Sequence, residues 1–372
     1  MSAAPRVRRV VVKVGSAVVA PGGLLDADAI ARIAAELTAL RKTGVEVVLV
    51  SSGAVALGFR TLGLPAMPGV IRQKQAAAAI GQPMLMRTYA EQLAASEIPV
   101  AQVLLTSDDF GHRERFLNAR HTLETLLASG VLPIVNENDS VVFDEIKLGD
   151  NDRLSALVAS SIDADLLLLL SVAPGLMDLA SGRVLEAVDR IEDARALVDT
   201  AQSSGVGTGG MGTKLDAASI VTSRGIPAHL ARGPTDDIPD PIARVLRGDT
   251  IGTRFPAAGA SRRTSRKDWI ANATRTQGVI VVDDGAAIAL RQRGASLLPG
   301  GIVRVEGRFE AGSAVEIQNT QGACFARGLT SYGSAEIQRI KGLRSDAIEE
   351  TLGYAYAEEV IHRDDLHVKE DS

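Results

Sequence analysis

The sequence predicts an α/β protein, a three-layer sandwich around a mainly parallel sheet, followed by a small, mostly β domain. Two observations carry that prediction. Up to about Arg254, short β-branched runs apolar on both faces alternate with amphipathic helical stretches, the pattern of a parallel sheet covered on each side. Beyond Gly278, short strands are separated by turns such as Leu298-Pro299-Gly300-Gly301. A chain of 372 residues, 46% hydrophobic and 23% charged, can fill two such cores, and disorder is excluded as its main state.

The elements follow in order. Val10, Val11, Val12 and Val14 form the first strand, after which Asp26 or Asp28 caps a helix carrying Ile30, Ile33, Leu37 and Leu40 and ending at Gly44. Val45 to Val50 is the second strand. The alternation continues with strand Val100 to Leu105, a helix around Leu117 to Leu127, strand Val131 to Val135, a helix around Leu154 to Ile162 and strand Leu166 to Leu170. Helices around Ile191 to Val198 and from Lys214 to Ser223 precede the run Ile226 to Leu230. Right-handed crossovers place every strand-end loop on one edge, where ligands of such sheets bind. Residues 1–257 therefore form the first domain and 258–277, rich in basic residues, a linker. Residues 278–357 form the β domain, with strands at Val279 to Val282, Ile302 to Val305, Ala314 to Ile317 and Phe325 to Leu329. The acidic residues 358–372 read as a frayed tail.

Several function classes drop out. Cys324 is the single cysteine, so no intramolecular disulfide and no cysteine zinc site can form. The five histidines are scattered without ligand spacing. Met1 to Arg9 has no apolar segment behind its basic residues and no stretch is long enough to cross a bilayer, so a cytoplasmic location without a membrane partner is expected. A net charge of −5 argues against a general polyanion binder but permits a local basic patch.

Five segments at the expected strand ends and helix entries carry chemistry. Gly205 to Lys214 is glycine-rich and leads into a helix, so its N–H groups and the helix dipole can cradle a phosphate. It is not a Walker A loop, because Thr213 precedes Lys214 instead of following it. A flexible linker is the blander reading, against which the direct entry into a helix weighs. Lys13 ends an apolar strand and either snorkels to water or projects into the strand-end cleft as a phosphate ligand; Gly15 and Ser16 favour the cleft. Ser51-Ser52-Gly53-Ala54 caps a helix or contacts a ligand. Asn136-Glu137-Asn138-Asp139 and Gly149-Asp150-Asn151-Asp152 bring more acids and amides than capping needs, and could hold a cationic amine, hold Mg²⁺ or keep the lysines aligned.

Together with Arg115-Phe116-Leu117-Asn118-Ala119-Arg120, these motifs resemble the amino acid kinase family, and within it the enzymes that act on glutamate. Arg293-Gly294, Ser296 to Pro299 and Arg327 to Tyr332 look like a PUA domain. The resemblance implies ATP-dependent phosphorylation of the γ-carboxylate of L-glutamate to L-glutamyl 5-phosphate, the first step of proline biosynthesis. It makes Lys13, Lys214 and Asp152 catalytic, and Ser52, Asp139, Asn151 and Asp150 substrate-binding. The nucleotide falls to Lys13, Ser171, Val172, Thr208, Gly209, Gly210, Met211, Gly212, Thr213 and Lys214. It further implies Mg²⁺, a homo-oligomer (dimer or tetramer) and feedback inhibition by proline, while naming no metal ligands. Ser171 to Met177 departs from the family pattern, lacking its acid and its aromatic residue on the expected nucleotide side. Sibling kinases acting on aspartate, N-acetylglutamate or UMP would share the sheet and lysines but not the C-terminal domain. RNA as a partner lacks electrostatic support, since Gly278 to Ala357 holds eight basic against nine acidic residues.

Overall fold

Strand β1 (Arg9–Val14) lies inside a seven-stranded sheet and decides, by its alternation, which side chains reach which layer. The computed structural model describes residues 7–141, 150–178, 181–203, 210–257 and 276–368. They fall into two compact units.

The first unit holds β1, β2 (Glu46–Ser51), β3 (Val100–Leu105), β4 (Leu132–Glu137) and β5 (Leu166–Ser171). A short ribbon follows, β6 (Met177–Asp178) with β7 (Arg183–Val184), then β8 (Ala228–Arg232) and β9 (Thr253–Phe255). The sheet order is β3-β4-β2-β1-β5-β8-β9, parallel except for β9, which runs antiparallel to β8. Because β1 hydrogen-bonds β2 on one side and β5 on the other, the strand order reverses beside it. That reversal opens a crevice at the carboxyl ends.

The α-helices before residue 258 are α1 (Ser16–Val19), α2 (Ala27–Lys42), α3 (Ala54–Gly58), α4 (Ile71–Ala94), α5 (Arg113–Ala128), α6 (Asp150–Ser161), α7 (Ile191–Ser203), α8 (Met211–Thr222) and α9 (Pro241–Arg247). Val10, Val12 and Val14 face a core shared with α2, α4 and α9, whereas Val11 faces the core built with α5, α6, α7 and α8. The three layers expected from the sequence are present. Asp26 caps α2, its Oδ1 accepting from Ala29 N at 2.9 Å. Helix α8 starts at Met211 rather than Lys214, because Gly210 adopts φ +80 and turns the chain into the helix earlier.

Helix α4 does not register in the hydrophobic pattern. It is alanine-rich and weakly amphipathic, and it contains Gly81 and Pro83, residues that ordinarily interrupt helices. Gly81 is required by packing: a Cβ there would lie 1.9 Å from the Ala54 carbonyl oxygen, so α3 and α4 touch backbone to backbone.

The second unit is a five-stranded sheet, β10 (Gly278–Val282), β11 (Ile302–Glu306), β12 (Ala314–Gln318), β13 (Cys324–Leu329) and β14 (Leu366–Val368), ordered β11-β10-β12-β13-β14. Its core includes Ile280, Val282, Val315, Ile317, Phe325 and Tyr332. The expectation of a frayed tail after Ala357 is corrected here. Val360, Ile361 and Leu366 are buried, and β14 pairs antiparallel with β13. These apolar residues are separated by charged ones over too short a span for their alternation to stand out.

A buried acid tunes the first unit. Glu36 of α2 accepts a hydrogen bond from Ala243 N of α9 at 2.9 Å, and burial pushes its carboxyl up to about 7. Between about pH 4.5 and 7 the folded chain keeps a proton that the unfolded chain has released, so stability falls as pH rises through that window. Relative to wild type, Glu36→Gln is expected to remove roughly 3 kcal/mol of this pH-dependent change in unfolding free energy, measured by urea titrations across the window. Parallel pH profiles for the two proteins would contradict it.

Candidate active site

Lys13 is on the same face of β1 as Val11, and its ammonium meets α6 and α8 at the carboxyl end of the strand. Its side chain is only 6% exposed. Lys13 Nζ lies 2.5 Å from Asp152 Oδ1. The other oxygen, Oδ2, accepts from Thr213 Oγ1 at 2.7 Å and from Lys214 Nζ at 3.2 Å. Lys214 Nζ also donates to the Gly210 carbonyl at 3.1 Å. One buried carboxylate thus bridges two ammonium groups that lie far apart in the chain.

Two glycines adjoin this arrangement, and Gly210 is the one whose positive φ requires glycine. Gly15 donates its N–H to Leu170 O at 3.0 Å, and a Cβ there would stand 3.4 Å from that oxygen and 3.8 Å from Lys13 Nζ. At Gly210 the positive φ turns the carbonyl and the helix start toward Lys214, and a Cβ would come 3.5 Å from Nζ.

Electrostatics give the cluster a purpose. Burial pulls the Lys13 ammonium below its ordinary range; Asp152 opposes this and the Lys214 charge adds to it. Burial alone would raise the Asp152 carboxyl, but the charges of Lys13 and Lys214 and the Thr213 hydroxyl outweigh it, leaving the group below the usual carboxylate range. Asp152 is therefore ionised at neutral pH and offsets one of the two positive charges. The surplus cation, little exposed to water, favours an anion in front of it.

Asn151, the residue before Asp152 on α6, points to the other side. Its Nδ2 donates to Ser52 Oγ at 3.1 Å and to Asn136 Oδ1 at 2.9 Å, and its Oδ1 accepts from Glu137 N at 3.1 Å. The first turn of α6 joins the lysine cluster beyond β1 to a polar cluster beyond β2 and β4.

Of the residues singled out in the sequence, Lys13, Asp152, Gly210, Thr213 and Lys214 come together in one group and Ser52 with Asn151 in an adjoining one. Asp139 is half-buried in the turn after β4, Gly212 is half-buried in the first turn of α8, and Met211 packs against the core of that face. Ser171 ends β5, its carbonyl accepting from Gly233 N at 2.8 Å, while Val172 is 57% exposed. Thr208 and Gly209 lie outside the described residues, as does the side chain of Asp150, which opens α6. The sequence did not single out Gln82 of α4 or Gln102 of β3, which continue the polar cluster through Asn136. A lone glutamine inside an undetected helix leaves no pattern. Asn136 had a signal, its place in a run of acids and amides at a strand end.

The profile of the Amino acid kinase family matches residues 8–232. The chain belongs to the amino acid kinase family. The PUA domain profile matches residues 278–352, within the second unit. Among similar chains, the glutamate 5-kinase of Trichlorobacter lovleyi is 49% identical over 368 residues, covering 97% of this chain and 96% of that one. That of Thermus thermophilus is 46% identical over 368 residues and that of Geobacter sulfurreducens 47% over 369, each covering 98% of both chains. The similarity to these amino acid kinases spans both units.

Replacing Asp152 by Asn leaves the buried Lys13 ammonium and the little-exposed Lys214 ammonium without the carboxylate they share. Asp152→Asn is expected to lower unfolding free energy by about 3–5 kcal/mol, with millimolar tripolyphosphate restoring part of the lost Tm. Calorimetry with and without the anion checks both parts, and a wild-type Tm without anion would contradict them.

Proposed function

We propose that the chain transfers the γ-phosphoryl group of ATP to the γ-carboxylate of L-glutamate, giving L-glutamyl 5-phosphate and ADP at the entry to proline biosynthesis. The observation that carries this reading is the Asp152 carboxylate bridging Lys13 and Lys214, with its surplus positive charge at the strand-end crevice. Full-length similarity to glutamate 5-kinases directs the substrate choice.

The chemistry needs few groups. A substrate γ-carboxylate is ionised near neutral pH, so the nucleophile needs no general base, and histidine is not needed. Phosphoryl transfer depends on in-line placement and on neutralising the phosphoryl oxygens. Lys13 and Lys214 take the transferring group between them, Asp152 holds their ammonium groups apart at a fixed spacing, and N–H groups at the start of α8 hold phosphate oxygens. Ser52, Asn151, Asp139 and Asp150 are assigned to glutamate, the two acids suiting its free α-amine. The nucleotide phosphates are assigned to Thr208, Gly209, Gly210, Met211, Gly212 and Thr213, and the base to Ser171 and Val172.

Among the described residues no group of three His, Cys, Asp or Glu side chains is placed to hold a metal ion, and both Asp152 oxygens face ammonium groups. This donor set fits Mg²⁺ carried on the phosphates of ATP rather than caged by protein, where the ion supplies charge neutralisation of phosphate oxygens. No described helix is long and apolar enough to cross a membrane. A cytoplasmic homo-oligomer inhibited by proline completes the proposal.

The test is an incubation with ATP, Mg²⁺, glutamate and hydroxylamine, which traps an acyl phosphate as its hydroxamate. Hydroxamate is expected with glutamate and far less with aspartate or N-acetylglutamate. Lys13→Ala and Lys214→Ala should each lower kcat about 100-fold or more, with smaller changes in either KM. Absence of product with glutamate, or full turnover by either variant, overturns the proposal.

A further inference from the structure

The polar cluster beyond β4 has a polarity that one backbone group fixes. Glu137 N–H points at Asn136 Oδ1 (2.9 Å) and at Asn151 Oδ1 (3.1 Å), and a backbone N–H can only donate. Both side-chain oxygens are thereby identified. Asn136 must then present its NH₂ to Gln82, whose Oε1 accepts at 2.7 Å. Gln82 in turn presents Nε2 to Gln102 Oε1 at 3.0 Å. At the other end Asn151 divides its two hydrogens between Asn136 Oδ1 (2.9 Å) and Ser52 Oγ (3.1 Å).

Ser52 Oγ therefore accepts from Asn151, and its own O–H meets no acceptor among the described residues. With one lone pair taken by Asn151, this half-buried hydroxyl has its hydrogen available for an oxygen acceptor such as a carboxylate. Asn136 and Gln82 are 2% and 7% exposed, so water cannot readily replace a lost partner there.

We infer that Gln82 is a positioning residue that, through Asn136 and Asn151, holds the Ser52 hydroxyl as a donor to a carboxylate oxygen of the substrate. This rests on the reading above, in which Ser52 faces glutamate. Loss of the Gln82 acceptor frees the Asn136 amide to turn, and the Asn151 amide then loses the partner that aims its second hydrogen at Ser52. Gln82 reaches Ser52 only through Asn136 and Asn151, so the effect belongs in glutamate binding and not in phosphoryl transfer.

The full-length protein serves for the test, using the hydroxamate assay with glutamate and ATP varied separately. Gln82→Met, similar in shape but without the amide, is expected to raise the KM for glutamate about 10-fold, with the KM for ATP and kcat within about two-fold of wild type. Gln82→Glu keeps an acceptor for Asn136, loses the link to Gln102 and adds a buried carboxyl, so with the fold verified glutamate KM should rise less than in Gln82→Met, no more than about three-fold. Circular dichroism and Tm report whether each variant folds. If Gln82→Met does not, Gln102→Leu at its exposed site removes only the last acceptor and should raise glutamate KM two- to three-fold with ATP KM unmoved. An unchanged glutamate KM in the folded variants, an equal rise in the KM for ATP, or Gln82→Glu as impaired as Gln82→Met overturns the inference. A wild-type protein inactive on glutamate overturns the underlying reading instead.

Discussion

A single carboxylate held between two ammonium groups is the constraint around which the first unit is organised. Burial works against the charge on Lys13 and Asp152 works for it, while Asp152, at 1% exposure, is held ionised by the charges of the two lysines. Each half of the interaction makes the other tolerable. Because one negative charge answers two positive ones, the cluster is incomplete in a definite direction: it favours a further anion. A phosphoryl group in transfer supplies negative oxygens at such a place, and the cationic groups are held in position beforehand.

The fold explains why these groups meet. Parallel strands bring every carboxyl end to one edge, and the reversal of strand order beside β1 leaves room there. Period-two alternation sends Lys13 to the face where α6 and α8 pack. On α6, consecutive residues project about 100° apart, so Asn151 turns to β2 and β4 while Asp152 turns to β1 and α8. One helical turn thereby couples the polar cluster, proposed for the amino acid, to the charged cluster, proposed for the phosphoryl group. A small shift of α6 would disturb both.

What the sequence disclosed and what it hid divides along physical lines. Lys13 was legible because a lysine in a valine run violates the apolar pattern, and the strands because β-branched runs are conspicuous. Gly210 and Lys214 were legible as a glycine-rich entry to a helix. Helix α4 was hidden because packing against α3 selects Gly81 and the chain tolerates Pro83, so the local pattern contradicts the element that tertiary contact imposes. Gln82 was hidden with it. The apolar residues that place β14 in the second unit lay within acidic composition, and only their pairing with β13 reveals them. Asp152 stood out as one acid among several, and its partners became apparent only in three dimensions.

The most direct measurement of the central claim is a crystal structure of the protein with L-glutamate, Mg²⁺ and a non-hydrolysable ATP analogue. The account requires Lys13 Nζ and Lys214 Nζ each within about 3 Å of oxygens on the terminal phosphate, with Asp152 still between them. A terminal phosphate bound elsewhere, with either ammonium still turned away from it, would contradict the account.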